Sequence, residues 1–532
     1  MQPIRIFNLV RTFLCICLFG FIVKSEAQTE YIVSGGLADL KSKLGCDNCT
    51  LILEGTFNIN ELLALDSKTD VTLVGRGAKW VVGQAFRFRI AESKNIRFEN
   101  IDIEDHTPNI QPPEYTIFDF LSSTNSGIEN IRYVADYAKR QLVRIRSHSS
   151  RCYVRSCQIT KTDQAVMLGS PAYENSGAPT TECVVENNRI TDFQYTGIQT
   201  QTLNQSYSLT NIDSHARHRI SGNTLLNPNI NNTAGVAAID VNGSESTVEG
   251  NIVIGNPIYP SQAGIYIHRA YQTICRANRV TGKYLYAGIY LATTNNSSVS
   301  ENTLDGVTST NYYSSAILIN KQLAGDPVSA ENLISGNQVL NCKKGVFVEG
   351  ADNTVISGNI FQYSSYGIYT TGSRFELRGN RFNNIGRSIY SSGGGIADIP
   401  NQITGNSFSA CSSMVVFNEN NANTGRPFLF EGNQVFGWGD ISYPEAIVLR
   451  CGASRISGNT FMKDVGRNTT GFPIAAFVVA TKSWGYGIVN GHEFKDNQLS
   501  SGVTFTINGN VGDKAGFTNN NGCCGTGLFT ND

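Results

Sequence analysis

Three neighbouring apolar stretches carry polar residues at matching places: Asp240 and Asn242 in the first, Tyr266 and His268 in the second, Tyr290 in the third. If these stretches are strands stacked in register, alternate residues face outward and adjacent strands lie about 4.8 Å apart, so the five side chains form one cluster. Arg269 and Lys321, each one position past a strand end, stand at its rim. Such a set suits a uronic-acid polymer. Breaking that polymer by β-elimination needs a cation or amide to neutralise the carboxylate, a base for the C5 proton and an acid for the leaving oxygen. Arg269 or Lys321, with Asn242, fits the first role, and His268 or Tyr266 fits the others, with Asp240 beside them. An epimerase removes the same proton and returns one to the other face, so the same residues would serve it. A non-catalytic glycan-binding or adhesive face would also carry exposed Tyr and Asn.

The strands extend the cluster into two columns. One reads Arg144, Met167, Gln199, Asp240, Tyr266, Tyr290, Leu318, Phe347, Tyr369 and Tyr390; the other reads Arg146, Gly169, Gln201, Asn242, His268, Ala292, Asn320, Glu349 and Thr371. Arg144, Arg146, Gln199, Gln201, Asn242, Tyr290, Asn320 and Glu349 are the residues expected to contact a glycan. Arg144 and Arg146 belong to a basic stretch with Lys139, Arg140, His148, Arg151, Arg155 and Lys161. A row of cations beside a row of aromatics suits an anionic glycan, charges meeting carboxylates or sulfates and rings stacking on sugar faces. The run 213–219, with His215, Arg217, His218 and Arg219, is a second candidate, for a ligand or metal.

Glycoside hydrolysis needs a facing pair of carboxylates. Only Asp240 faces outward at the cluster, with Asp163 and Asp192 in turns before neighbouring strands, so a hydrolase is the weaker alternative. No metal ligand set is expected. Cys46 with Cys49, and Cys523 with Cys524, lie too far apart in sequence for a two-pair zinc site and read as a local bridge or buried thiols.

The elements that must position these residues follow from a repeated phrase, apolar, polar, Gly or polar, Asn, variable, apolar, as in Ile-Ser-Gly-Asn-Thr-Leu ending at Leu225. Its asparagines are Asn188, Asn223, Asn251, Asn278, Asn302, Asn337, Asn359, Asn380, Asn406, Asn433, Asn459 and Asn497, mostly 21 to 28 residues apart with steps of 35 and 38. A period of that size marks a solenoid, with loops inserted at the longer steps. Alternation with period two on both sides of the Asn predicts strands, too short to stand alone but stable when stacked coils bury a continuous apolar column. Asn tolerates a left-handed turn, and its amide can bond to the same residue in the next coil, so the repeated Asn reads as structural.

The repeats resemble the parallel β-helix repeat of the pectate-lyase-like superfamily, from roughly residue 80 to 500. Residues 95–103 and 152–159 read as further coils, with Cys157 where Asn usually stands. The resemblance implies an all-β, right-handed parallel β-helix solenoid with end caps. It says little about activity, since that superfamily includes lyases, hydrolases, epimerases, phage tail proteins and adhesins. Where superfamily members act on polysaccharides, the glycan commonly lies along a strand face. The chain lacks the aspartate run and Gly-His-Gly segment of polygalacturonases and the acidic group of the classical pectate lyase calcium site. No cofactor is expected, and a calcium requirement is unsupported.

Arg5 and Arg11, the eleven apolar residues Phe13 to Val23 and the small-residue site before Gln28 have the layout of a secretory signal peptide over 1–27. The run is shorter than the roughly 20 residues a membrane-spanning helix needs. An exported protein at the cell surface or beyond is expected, without a transmembrane segment. The expected organisation is a first coil and cap over 28–80, repeats over 81–500 and a cap or tail over 501–532. Two of the 13 cysteines lie in the leader, leaving an odd number in a compartment that permits disulfides. A net charge of -1 and low charge content argue against a nucleic-acid partner.

Overall fold

The computed structural model describes residues 28–108, 116–169, 179–201, 216–232, 237–308, 311–321, 325–371, 374–392, 401–418, 428–438, 447–450, 454–462, 475–480, 492–500, 504–508 and 515–518. Residues 1–27, where a signal peptide is expected, the run 202–215 and the Cys523-Cys524 pair lie outside them.

The coil nearest the candidate cluster runs through two three-residue strands, Thr247–Glu249 and Ile252–Ile254, then a longer third, Ser261–Tyr271, before the next coil opens at Ile274–Arg276. Each strand pairs in parallel with its counterparts in neighbouring coils. Among the described residues the sheet of first strands alone stacks 19. The fold is thus the right-handed parallel β-helix, nearly all β.

Stacking in register explains how strands so short persist. The central residue of each first strand points inward, and Ile220, Val248, Cys275, Val299, Ile334 and Ile356 form one fully buried file. Burying each Val or Ile contributes about 1.5–3 kcal/mol, available only when the coils above and below exist.

The repeated asparagines form a second file. From Asn188 to Asn497 each donates Nδ2 to Oδ1 of the next at 2.9–3.0 Å. The same oxygen accepts the backbone N–H of the residue that reaches it, and Cys157 begins the series by donating its backbone N–H to Asn188 Oδ1. The expectation that Asn itself takes the left-handed turn is corrected. The residue before it does: Gly222 (φ 64), Gly250 (φ 63), Ala277 (φ 54), Glu301 (φ 58) and Gly336 (φ 64). With the turn made one residue earlier, the amide points inward to the next rung.

At the first coil the helix Gly36–Lys43 buries Leu40, and Leu44 follows it into the core. Cys46 and Cys49 are joined in a local disulfide. Cys152, Cys157, Cys183, Cys275, Cys342 and Cys411 are buried thiols. No helix among the described residues is long and apolar enough to cross a membrane.

Candidate functional site

The third strands carry the candidate residues. Asp240 pairs with Gln199 on one side and Tyr266 on the other; Tyr266 pairs with Tyr290, Tyr290 with Leu318, Leu318 with Phe347, Phe347 with Tyr369 and Tyr369 with Tyr390. The second column holds Asn242 against His268, His268 against Ala292 and Ala292 against Asn320. At this level two strands, Ser261–Tyr271 and Arg279–Asn295, run on past the usual six residues, giving the cluster the longest strands of the fold.

His268 Nε2 lies 2.9 Å from Asp240 Oδ1, with both side chains 14% exposed. The Tyr266 ring stacks on His268, centroids 4.5 Å apart at 9°, and on Tyr290 at 4.7 Å. Burial, then Tyr290 and Asp240, push the Tyr266 phenol well above its ordinary range, with Arg269 opposing. Tyr290 donates to Asn320 Oδ1 at 2.9 Å, and burial pushes its phenol up to about 12. Both phenols therefore stay protonated at neutral pH.

Arg269, expected one position past a strand end, lies within the strand Ser261–Tyr271, where it takes a left-handed backbone (φ 48) and turns toward Asp326, Nη2 to Oδ1 3.6 Å. Thr293 donates to the other oxygen of Asp326 at 3.3 Å. Arg269 Nε is buried without a hydrogen-bond partner among the described residues. Lys321 is exposed at its own strand end, Gln201 pairs with Gly169, and Asn242 is buried with its backbone N–H donated to Thr200 Oγ1. The charge of Glu349 is the main cause raising the Tyr313 phenol.

Several expectations fail on contact with the geometry. Arg144 and Arg146 do not form an open row of cations: both bind the buried carboxylate of Asp119, as does Arg87. Burial pushes the Asp119 carboxyl up, but Arg144 and Arg146 outweigh it and hold it well below the usual range. Arg140 is fully buried, donating to the carbonyls of Gly83, Gln84 and Phe86 beside Asp105. Arg151 and Arg155 are matched by Glu182 and Glu186. In the second candidate run, His218 is inside the solenoid with Nδ1 accepting from Cys183 N–H, Arg217 bridges Glu182 and Glu245, and His215 lies outside the described residues. These charges sit where the coil register meets the opposite sign, which only the fold reveals.

The aromatic column is not open along its whole length either. Leu318 and Phe347 are buried, and Tyr312 and Tyr313 cover Phe347, with ring centroids 5.5 and 5.8 Å from its own. Lys344 holds that cover: its Nζ sits 4.0, 4.2 and 4.4 Å from the Tyr312, Phe347 and Tyr369 centroids and donates to the Tyr312 carbonyl.

Asp119, Asp326, Lys344 and the glutamines Gln141 and Gln164 were not singled out by the sequence. Asp119 lies one rung before Arg144 on the first column, so extending the alignment one coil would have found it. Asp163, in its turn, has its carboxyl pushed up to about 6 by burial. Asp192 accepts from Asn227 Nδ2 at 2.5 Å.

Among solved structures, the chain is similar to the alginate lyase AlyF-OU02 bound to G6, at 9% identity and TM-score 0.44, covering 68% of this chain and 86% of that one. It is also similar to the A-module of the mannuronan C-5 epimerase AlgE6 of Azotobacter vinelandii, at 12% identity and TM-score 0.37, covering 80% and 93%. A third similarity is to the tailspike of Escherichia coli bacteriophage HK620 in complex with pentasaccharide, at 12% and 0.38, covering 81% and 72%. No curated protein matches the sequence. The family model described as periplasmic copper-binding protein (NosD) matches residues 216–425 and 320–495, together just over half of the chain. The chain belongs to the NosD family of right-handed parallel β-helix proteins.

Proposed function

We propose that the protein is exported and acts on an anionic extracellular polysaccharide, by β-elimination or C5-epimerisation of a uronic-acid polymer at the face around Asp240, Tyr266, His268 and Arg269. The observation that carries this reading is the His268–Asp240 contact with Tyr266 stacked on the imidazole. A carboxylate at one ring nitrogen orients the imidazole, the type of group that serves as base for a weakly acidic C5 proton. Tyr266, stacked on the imidazole, is the hydroxyl proposed to give a proton, either to the leaving oxygen or to the opposite face of the sugar, and burial makes its phenol a weaker acid that must be helped by Arg269. Arg269, with a buried N–H lacking a partner among the described residues, and Lys321 at the rim supply positive charge for the uronate carboxylate.

Copper, which the family's description names, finds no fitting residues among the described ones. Among the described residues no three His, Cys, Asp or Glu side chains form a group that could hold a metal ion, and burial pushes the thiols of Cys152, Cys157, Cys275 and Cys342 up to about 12 inside the core.

Incubation with a panel of uronic-acid polysaccharides, followed by ultraviolet absorbance of unsaturated uronates and by NMR of the C5 configuration, tests the reading. A signal lost in His268→Ala supports it. No change in any polymer sinks it and leaves a non-catalytic glycan-binding face.

A further inference from the structure

Beside the cluster, three buried or half-buried amides run toward it across successive coils. Thr116 Oγ1 donates to Gln141 Oε1 at 2.9 Å, Gln141 Nε2 to Gln164 Oε1 at 2.5 Å, Gln164 Nε2 to Gln199 Oε1, and Gln199 Nε2 to Asp240 Oδ2 at 3.0 Å. Asp240 Oδ1 then meets His268 Nε2. Thr116, Gln141 and Gln164 are 1%, 2% and 6% exposed. Each amide has its oxygen filled from one side and its nitrogen used on the other.

We infer that Gln141, Gln164 and Gln199 form a polarised ladder that positions Asp240 and thereby fixes the proton of His268 on Nε2. The direction of the ladder follows from its last rung. An ionised carboxylate can only accept, so Gln199 must show Asp240 its Nε2. That turns Gln199 Oε1 toward Gln164, which must answer with its own Nε2, and so back to Thr116. Aligned amide dipoles in a dry setting polarise one another and place their positive end toward Asp240. With Asp240 acting as acceptor on both oxygens, His268 Nε2 must be the donor, so the neutral ring carries its proton there. Gln199, expected to contact substrate, is on this account a positioning residue. Gln164 acts through it from two coils away, about 10 Å along the solenoid.

This rests on the proposed function for its purpose but not for its test. Histidine-selective isotope labelling with NMR reads the tautomer without any substrate, and His268→Asn assigns the signal among the six histidines. Gln164→Glu keeps size but gives Gln199 an acceptor at both ends of one amide; Gln199→Met keeps volume and removes both bonds. The parent should show a protonated Nε2 with slowed exchange, and each variant should speed that exchange about tenfold or more and mix the tautomers. An unchanged His268 signature in folded Gln199→Met overturns the ladder, and this variant decides alone if Gln164→Glu does not fold. If the tautomer responds while no polysaccharide is altered, the ladder stands and the proposed reaction falls. If a polymer is altered, Gln199→Met should lower kcat with KM little changed, whereas a rise in KM alone would return Gln199 to substrate contact and overturn the positioning role.

Discussion

Arg146 Nε lies 3.0 Å from Asp119 Oδ1, on a carboxylate whose other oxygen is within 3.1 Å of Arg144 Nη2. Arg87 completes the set. Three guanidiniums crowd around one fully buried carboxylate, so Asp119 is what lets like charges share neighbouring rungs. Removing it should cost about 3–5 kcal/mol, because the cations are then left buried and uncompensated. Denaturant unfolding of Asp119→Ala should show that loss, and replacing Arg144 and Arg146 by Met in the same chain should recover part of it. The folded carboxyl is held below its unfolded value, so its contribution is complete above pH about 4 and fades as pH falls through the folded value.

If His268 is the base, as proposed, its loss should be felt in rate more than in binding. His268→Ala should lower turnover of a responsive uronic polymer by about 10²–10⁴. Tyr266→Phe, which keeps the stacking but not the hydroxyl, should lower kcat while leaving the His268 ring in place. Initial rates over a substrate range check both.

The Asn file predicts a penalty of another kind. Asn302 accepts from both nitrogens of Asn278 and donates to the Cys275 carbonyl and Asn337 Oδ1. Asn302→Ala leaves those buried groups short of partners, at about 3 kcal/mol. Equilibrium unfolding should show this, together with faster amide exchange in the coils on either side.

Lys344 gives a pH signature. Burial and then Lys343 lower its ammonium to about 8, against an ordinary value near 10.5, with Glu349 opposing; the Tyr312, Phe347 and Tyr369 rings surround it. Between those values the unfolded chain holds a proton that the folded chain has released, so this group's contribution to stability rises with pH. The unfolding free energy of the parent, compared with Lys344→Met, should gain over that window and run parallel below it. A flat difference would show that the ammonium is not strained by its surroundings.

Much of this architecture was readable in the spacing of Asn188 to Asn497, because a solenoid repeats the same contact and the sequence must repeat with it. The columns through Asp240, Tyr266 and Tyr290 were readable for the same reason: parallel register carries alignment directly into space. What depended on side chains crossing between coils was not. Arg144 looked like a free cation because Asp119 is 25 residues away in sequence and adjacent only once coiled. The left-handed residue before each Asn was visible as the Gly of the repeated phrase, but Ala277 and Glu301 at the same place, and the tolerance of Asn for that backbone, drew the assignment one residue too far. The cover over Phe347 was hidden because Tyr312 and Tyr313 come from an insertion that the repeat does not describe.

The Asn file and the outer face differ in how they tolerate copy number. Every rung of the file is the same amide bond, so duplicating or deleting one whole coil leaves it continuous and costs the interior little. The outer face has no such freedom. Asp240 and His268 come from successive coils, and one extra coil between them would part them by about 4.8 Å. Across relatives of differing length, coils are therefore expected to be gained and lost on either side of the pair from Asp240 to His268, and not within it.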